Sequence, residues 1–207
     1  MSSQLTPLVW VVLTLPILLL LQRWIHRHLH GVAYLLTGNR QWAVLLYAIV
    51  LFPGVLLHEA SHWLSAKLLG VRTGAFSIVP QLRADGAVQL GYVEYYKSKG
   101  LGPLRESLIG SAPLITGTLV VLFISFRVFD VNALASAFAT GSVDALTVGL
   151  TELLATADFL VWLYLIFAIS NAMMPSSSDR RAWPLFALLL AAAAGVVYLL
   201  DLDLVLI

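Results

Sequence analysis

The chain has 207 residues, of which 60% are hydrophobic and only 11% charged, against about 45–50% apolar and about 25% charged in soluble domains. That balance excludes a soluble globular core, and a net charge of +1 gives no overall pull towards nucleic acid or an acidic polymer. Cysteine is absent, which rules out disulfides, thiolate ligands and a cysteine nucleophile, so any bound metal must be held by His, Asp or Glu.

A bilayer core takes about 20 apolar residues per helix, and five stretches meet that length, roughly 5–22, 41–68, 104–126, 149–174 and 183–200. The first is apolar from Leu8 to Leu21 and is followed by Arg23 and Arg27, whereas a cleaved signal peptide carries its charge first, so it reads as a retained anchor. Trp10, Trp24, Trp42, Trp162 and Trp183 lie near proposed helix ends, where such rings anchor at the headgroups or pack between helices. Between the second and third helices the pattern changes. From Arg72 to Gly102 charged residues interrupt the apolar ones, and Phe76-Ser77-Ile78-Val79 and the run Val88 to Tyr95 flank the pair Asp85-Gly86. An Asp-Gly pair between two such runs predicts a hairpin.

No internal repeat or linker is visible. The expected fold is therefore mainly α, a polytopic membrane protein forming one domain over 1–207, with about five transmembrane helices and a membrane-associated β-hairpin between helices two and three. If the hairpin side is cytoplasmic, that side collects Lys67, Arg72, Arg83, Lys97, Lys99, Arg105, Arg180 and Arg181, and the other holds Arg23, Arg27, Arg40 and Arg127. The total favours the hairpin inside, although Arg23 and Arg27 taken alone favour the reverse.

The string that carries chemistry is His58-Glu59-Ala60-Ser61-His62, set in an apolar helix. Residues four apart share a helix face, so His58 and His62 can offer two imidazole nitrogens to one tetrahedral Zn²⁺. Glu59 stands one position on, placed to take a proton from water at the metal without being a ligand. A chance match is the competing reading, but a carboxylate and two imidazoles inside a bilayer helix are costly unless partnered, which marks them as functional.

Hydrolytic zinc usually takes three protein ligands and leaves the fourth position for water. The extended metzincin pattern would need Gly at Ser65 and His at Leu68, so that class is excluded. His26, His28 and His30 fall in a basic stretch on the far side of the second helix and read as interfacial residues. With a rise of about 1.5 Å per residue, His58 lies roughly 25 Å along a helix starting near Gln41. Asp179, after the fourth helix, reaches that same depth, whereas Glu152, Asp158, Asp130 and Asp144 fall towards the opposite end. Asp179 is thus the expected third ligand, the alternative being a solvated carboxylate beside Arg180 and Arg181.

Over roughly residues 45–181 the chain resembles the site-2 protease family of membrane-embedded zinc proteases. Phe52-Pro53-Gly54-Val55-Leu56-Leu57-His58-Glu59-Ala60-Ser61-His62 resembles the family's zinc-binding helix, Leu90-Gly91-Tyr92-Val93 is similar to its Gly-Tyr-Val element, and Asn171 to Asp179 resembles its Asn-to-Asp-Gly segment. Gly110-Ser111-Ala112-Pro113-Leu114-Ile115-Thr116-Gly117 looks like its Gly-Pro helix. Departures are Arg180 where Gly is usual, Ser178 for an apolar residue, Pro175 displaced by one, and Thr116 where many members have Asn. The resemblance implies a minimal core of about 41–181 without a PDZ domain, flanked by extra helices at about 5–22 and 183–200.

It further implies one Zn²⁺ per chain on His58, His62 and Asp179, Glu59 as general base, and Asn171 or Thr116 as donors to an oxyanion. The expected activity is an intramembrane zinc metalloprotease of the cell membrane. Its site lies towards the cytoplasm, its partners are the bilayer and a transmembrane protein substrate, a regulatory membrane partner is left open, and nucleic acid has no part. Two rivals remain: a non-catalytic membrane subunit keeping a structural zinc, and a metal transporter. Transport would call for ionisable groups at successive depths on several helices, and here they concentrate at one site.

Overall fold

The computed structural model describes residues 2–82, 88–96, 102–176, 178–181, 183–185, 188 and 192. The expected Asp85-Gly86 turn and most of the predicted helix at 183–200 lie outside the described residues. The protein is mainly helical, in the order α1 (Ser2–Thr37), α2 (Arg40–Leu68), β1 (Thr73–Ser77), β2 (Gln81–Leu82), β3 (Val88–Gln89), β4 (Tyr92–Tyr95), α3 (Pro103–Arg127), α4 (Val131–Thr140), α5 (Val143–Leu154) and α6 (Phe159–Ala172). Among the described residues α2 and α3 are each long and apolar enough to cross a membrane, and α5 with α6 adds a third span if that bent pair is counted as one.

Two compact units share the chain: Met1–Phe52 with Val79–Leu90, and Pro53–Ile78 with Gly91–Ile207. In the first, α1 continues through Arg23 to His30, which the sequence places after the helix as a juxtamembrane stretch. It ends at Gly38, whose φ of +62° suits glycine and whose N–H donates to Tyr34 O. Asn39 then caps α2, its Oδ1 accepting from Gln41 N–H at 2.8 Å. The expected basic junction is therefore helix, because the true breaker is the Gly38-Asn39 pair downstream. Strand β2 pairs antiparallel with β3, Leu82 opposite Val88, as a hairpin centred on the expected turn requires.

In the second unit, α2 ends in a Schellman motif. Gly70, at φ +70°, donates to Lys67 O, and Val71 N–H donates back to Ala66 O at 2.8 Å. This turn folds Val71 onto Ala66 and Ile109, with Leu69 and Tyr95 against the same cluster. Strand β1 leaves it to pair antiparallel with β4, in the register Phe76 opposite Val93 and Ser77 opposite Tyr92, with an irregularity between Thr73 and Phe76. Pro103 opens α3 in its first turn, where a missing N–H costs nothing.

The predicted continuous helix over 149–174 is broken. α5 and α6 meet at 87°, with Asp158 at a left-handed φ of +57° between them. Asp is among the few residues that tolerate that conformation. Helix α4 precedes α5 in what the sequence reads as a plain connection, and Gly141 at φ +63° and Ser142, whose Oγ accepts from Ala145 N–H, separate the two.

Close packing of α2 on α6 depends on Gly54. A Cβ there would stand 2.6 Å from the Ala168 carbonyl carbon and 2.7 Å from Ala172 Cβ. Gly54→Ala should destabilise the protein by about 1–3 kcal/mol, as overpacking does. Gly31→Ala, whose Cβ would meet nothing within 4 Å, should be neutral or stabilising. Unfolding of both variants in mixed micelles checks the contrast.

Candidate metal centre

The second half of α2 presents His58 and His62 one turn apart, with their Nε2 atoms 3.1 Å from each other. The carboxylate of Asp179 closes the group, Oδ1 lying 3.4 Å from His62 Nε2 and Oδ2 3.9 Å from His58 Nε2. Zinc–ligand bonds of about 2.0–2.1 Å in tetrahedral geometry put neighbouring ligand atoms about 3.3 Å apart, so the two Nε2 atoms and one Asp179 oxygen could share an ion once the longer separations close. Two imidazoles and one carboxylate without thiolate are also the donor set of hydrolytic zinc. All the ligand atoms lie within 4.8 Å of one another, and no other such grouping occurs among the described residues.

Two of the three candidate ligands are held by hydrogen bonds. His62 is 6% exposed, and its Nδ1 donates to the Ile109 carbonyl of α3 at 2.8 Å. Holding the outer nitrogen this way orients a ligating imidazole. The His58 Nδ1 is buried outside hydrogen-bond geometry, with the Ala172 backbone close to the ring. The Asp179 side chain is 14% exposed, too little for a freely solvated loop carboxylate. Its Oδ2 accepts from Ser176 N–H at 2.7 Å, and its own N–H donates to Ser176 Oγ. Gly110 of α3 admits this turn, since a Cβ there would stand 3.0 Å from the Asp179 carbonyl carbon.

Glu59 is 8% exposed and packs on the backbone of Gly91, where a Cβ would come within 2.8 Å of Glu59 Cγ and 3.0 Å of its Oε1. Gly91, immediately before β4, therefore lies directly over the acid. Asn171, on α6, is buried and its Nδ2 donates to Phe167 O at 2.8 Å. Thr116 is half-buried on α3, seven residues beyond Ile109, or about 10 Å along the helix.

His28 and His30 have local partners within the first unit. His28 Nδ1 lies 2.8 Å from Trp24 O, and His30 meets Tyr47 edge-on. Sequence reasoning missed Tyr95, Gly91 and Ile109. Burial, then the Glu106 and Asp179 carboxylates, push the Tyr95 phenol up, with Arg181 opposing. Gly91 carries a signal only through the Gly-Tyr-Val resemblance, and Ile109 acts through its main chain, so its own side chain gives no sign of the role. No family model, curated protein or solved structure matches the chain.

Purified protein should hold about one zinc per chain, the stoichiometry of a three-ligand site. Metal analysis should find His58→Ala and His62→Ala nearly zinc-free and Asp179→Asn reduced. Equal zinc in wild type and all three variants would remove this site.

Proposed function

We propose that the protein is an intramembrane zinc metalloprotease of the site-2 protease type, cutting peptide bonds of transmembrane substrates. The observation that carries this reading is the meeting of His58, His62 and Asp179 beside Glu59 on a helix apolar enough to cross a membrane. A soluble-protein zinc site has no reason to sit there, and ionisable groups within a membrane are retained for function.

Bound zinc would supply Lewis-acid polarisation of the scissile carbonyl and a lowered pKa for water. The chain's own residues do the rest. Glu59 accepts the proton of the attacking water and passes it to the leaving amine. Asn171 or Thr116 donates to the developing oxyanion. A substrate helix must unwind locally to expose its carbonyls, and the hairpin edge beside Gly91 offers main-chain groups to an extended strand. The five-span arrangement with both flanking helices in the bilayer, and the site on the cytoplasmic side, belong to the same proposal.

The rival with most support is a non-catalytic subunit with a structural zinc, favoured by Arg180 and Thr116 at their departing positions. Structural zinc sites are normally closed by four protein ligands, whereas the described grouping holds three, which favours the enzyme.

Glu59→Gln keeps the side chain's volume and all three ligands. It should retain zinc while cleavage of a membrane substrate falls by about 10²–10⁴, the usual contribution of a general base. Cleavage at the wild-type rate would move the structural-zinc reading to first place. Topology has its own check, because the chain lacks native cysteine. Cysteines introduced at Asp85 and Asp144 should label from opposite faces of the membrane, Asp85 from the cytoplasm, and labelling of both from one face would overturn the orientation.

A further inference from the structure

The carbonyl that holds His62 is an unusual acceptor, because it belongs to the interior of a helix. Within α3, a carbonyl at position i is normally taken by the N–H of residue i+4. For Ile109 that residue is Pro113, which lies inside α3 and has no N–H. Ile109 is 0% exposed and Pro113 is among the fully buried side chains. The freed carbonyl would thus be left without water or a helical partner, which a folded interior rarely tolerates. His62 Nδ1, at 2.8 Å, fills the gap.

We infer that Pro113 is a positioning residue of the metal centre: it frees the Ile109 carbonyl, which then fixes the ring of His62. The inference rests on the reading of His58, His62 and Asp179 as metal ligands. A carbonyl can only accept, so the proton of this bond sits on Nδ1. A neutral imidazole carries one N–H, so Nε2 presents its lone pair, and it faces Asp179 Oδ1 at 3.4 Å and His58 Nε2 at 3.1 Å. One missing backbone proton on α3 thereby selects the tautomer and the ring orientation that a metal needs on α2. The same stretch carries Gly110 against Asp179 and Gly117 against Met173. Bending of α3 at Pro113 to suit those contacts is the competing explanation for the proline.

Two replacements in the full-length protein separate them. Pro113→Ala restores an N–H that competes for the Ile109 carbonyl. The ester analogue of that alanine, with a backbone oxygen in place of the nitrogen, loses the ring but still offers no N–H. Zinc affinity, from chelator competition, should fall about 10- to 100-fold in Pro113→Ala, as when an outer-shell partner is removed, and stay near wild type in the ester analogue. In metal-free protein, the hydrogen-bonded Nδ1–H resonance of His62 should persist in wild type and ester analogue and be lost in Pro113→Ala. Unchanged affinity and resonance in Pro113→Ala, or equal losses in both replacements, would overturn the inference. If Pro113→Ala does not fold, the ester analogue alone decides, since retention of the Nδ1–H resonance supports the inference and its loss overturns it. A wild type without zinc would end the protease reading yet leave the resonance comparison to stand or fall by itself.

Discussion

Two imidazoles and two carboxylates cannot remain charged or unpaired among apolar helices, and that constraint organises the second unit of this protein. Each isolated ionisable group buried in such surroundings costs several kcal/mol. The chain meets the cost by convergence: His58 and His62 face Asp179 across 3.4–3.9 Å, and the remaining nitrogen of His62 takes a main-chain carbonyl. A metal ion among these atoms would satisfy the nitrogen lone pairs and the carboxylate together. The pairing seen between them is what a site built for such an ion looks like from its ligands alone.

Convergence requires backbones to approach closely, and glycine permits it at each contact. Gly54 lets α2 meet α6 at Ala168 and Ala172, Gly110 lets the Asp179 turn reach α3, Gly117 accommodates Met173, and Gly91 lies on Glu59. Between apolar helices in a bilayer, packing of small residues replaces the hydrophobic effect as the source of association. The same contacts that hold the helices together therefore set the distances between ligands. Site geometry and helix packing are one property here, and a methyl group at any of these four positions disturbs both.

The bend between α5 and α6 shows how local chemistry escapes a reading by hydropathy. A window average over 149–174 sees a long apolar run and passes over two carboxylates, Glu152 and Asp158. Asp158 in the left-handed region nevertheless turns the chain by 87° and leaves α6 with 14 residues, about 21 Å of helix. The Gly38-Asn39 junction is the opposite case, because its breaker was visible but lay beyond a basic stretch that looked like the natural end of a membrane helix.

By itself the sequence determined the helical class, the two clearest membrane-length helices, the antiparallel pairing around a predicted Asp85-Gly86 turn, and the candidate ligand pair His58 and His62. These follow from periodicity and spacing, which are local: an i, i+4 pair shares a face in any α-helix. Asp179 was legible one step further, through depth along the chain. Only the tertiary structure decided that Asp179 is drawn into the group and not left in solvent, that Gly91 covers Glu59, and that the Ile109 carbonyl receives His62. Those relations join residues 32 to 121 positions apart in the chain. Main-chain groups, which every residue possesses, make two of the three contacts, so no choice of side chain announces them.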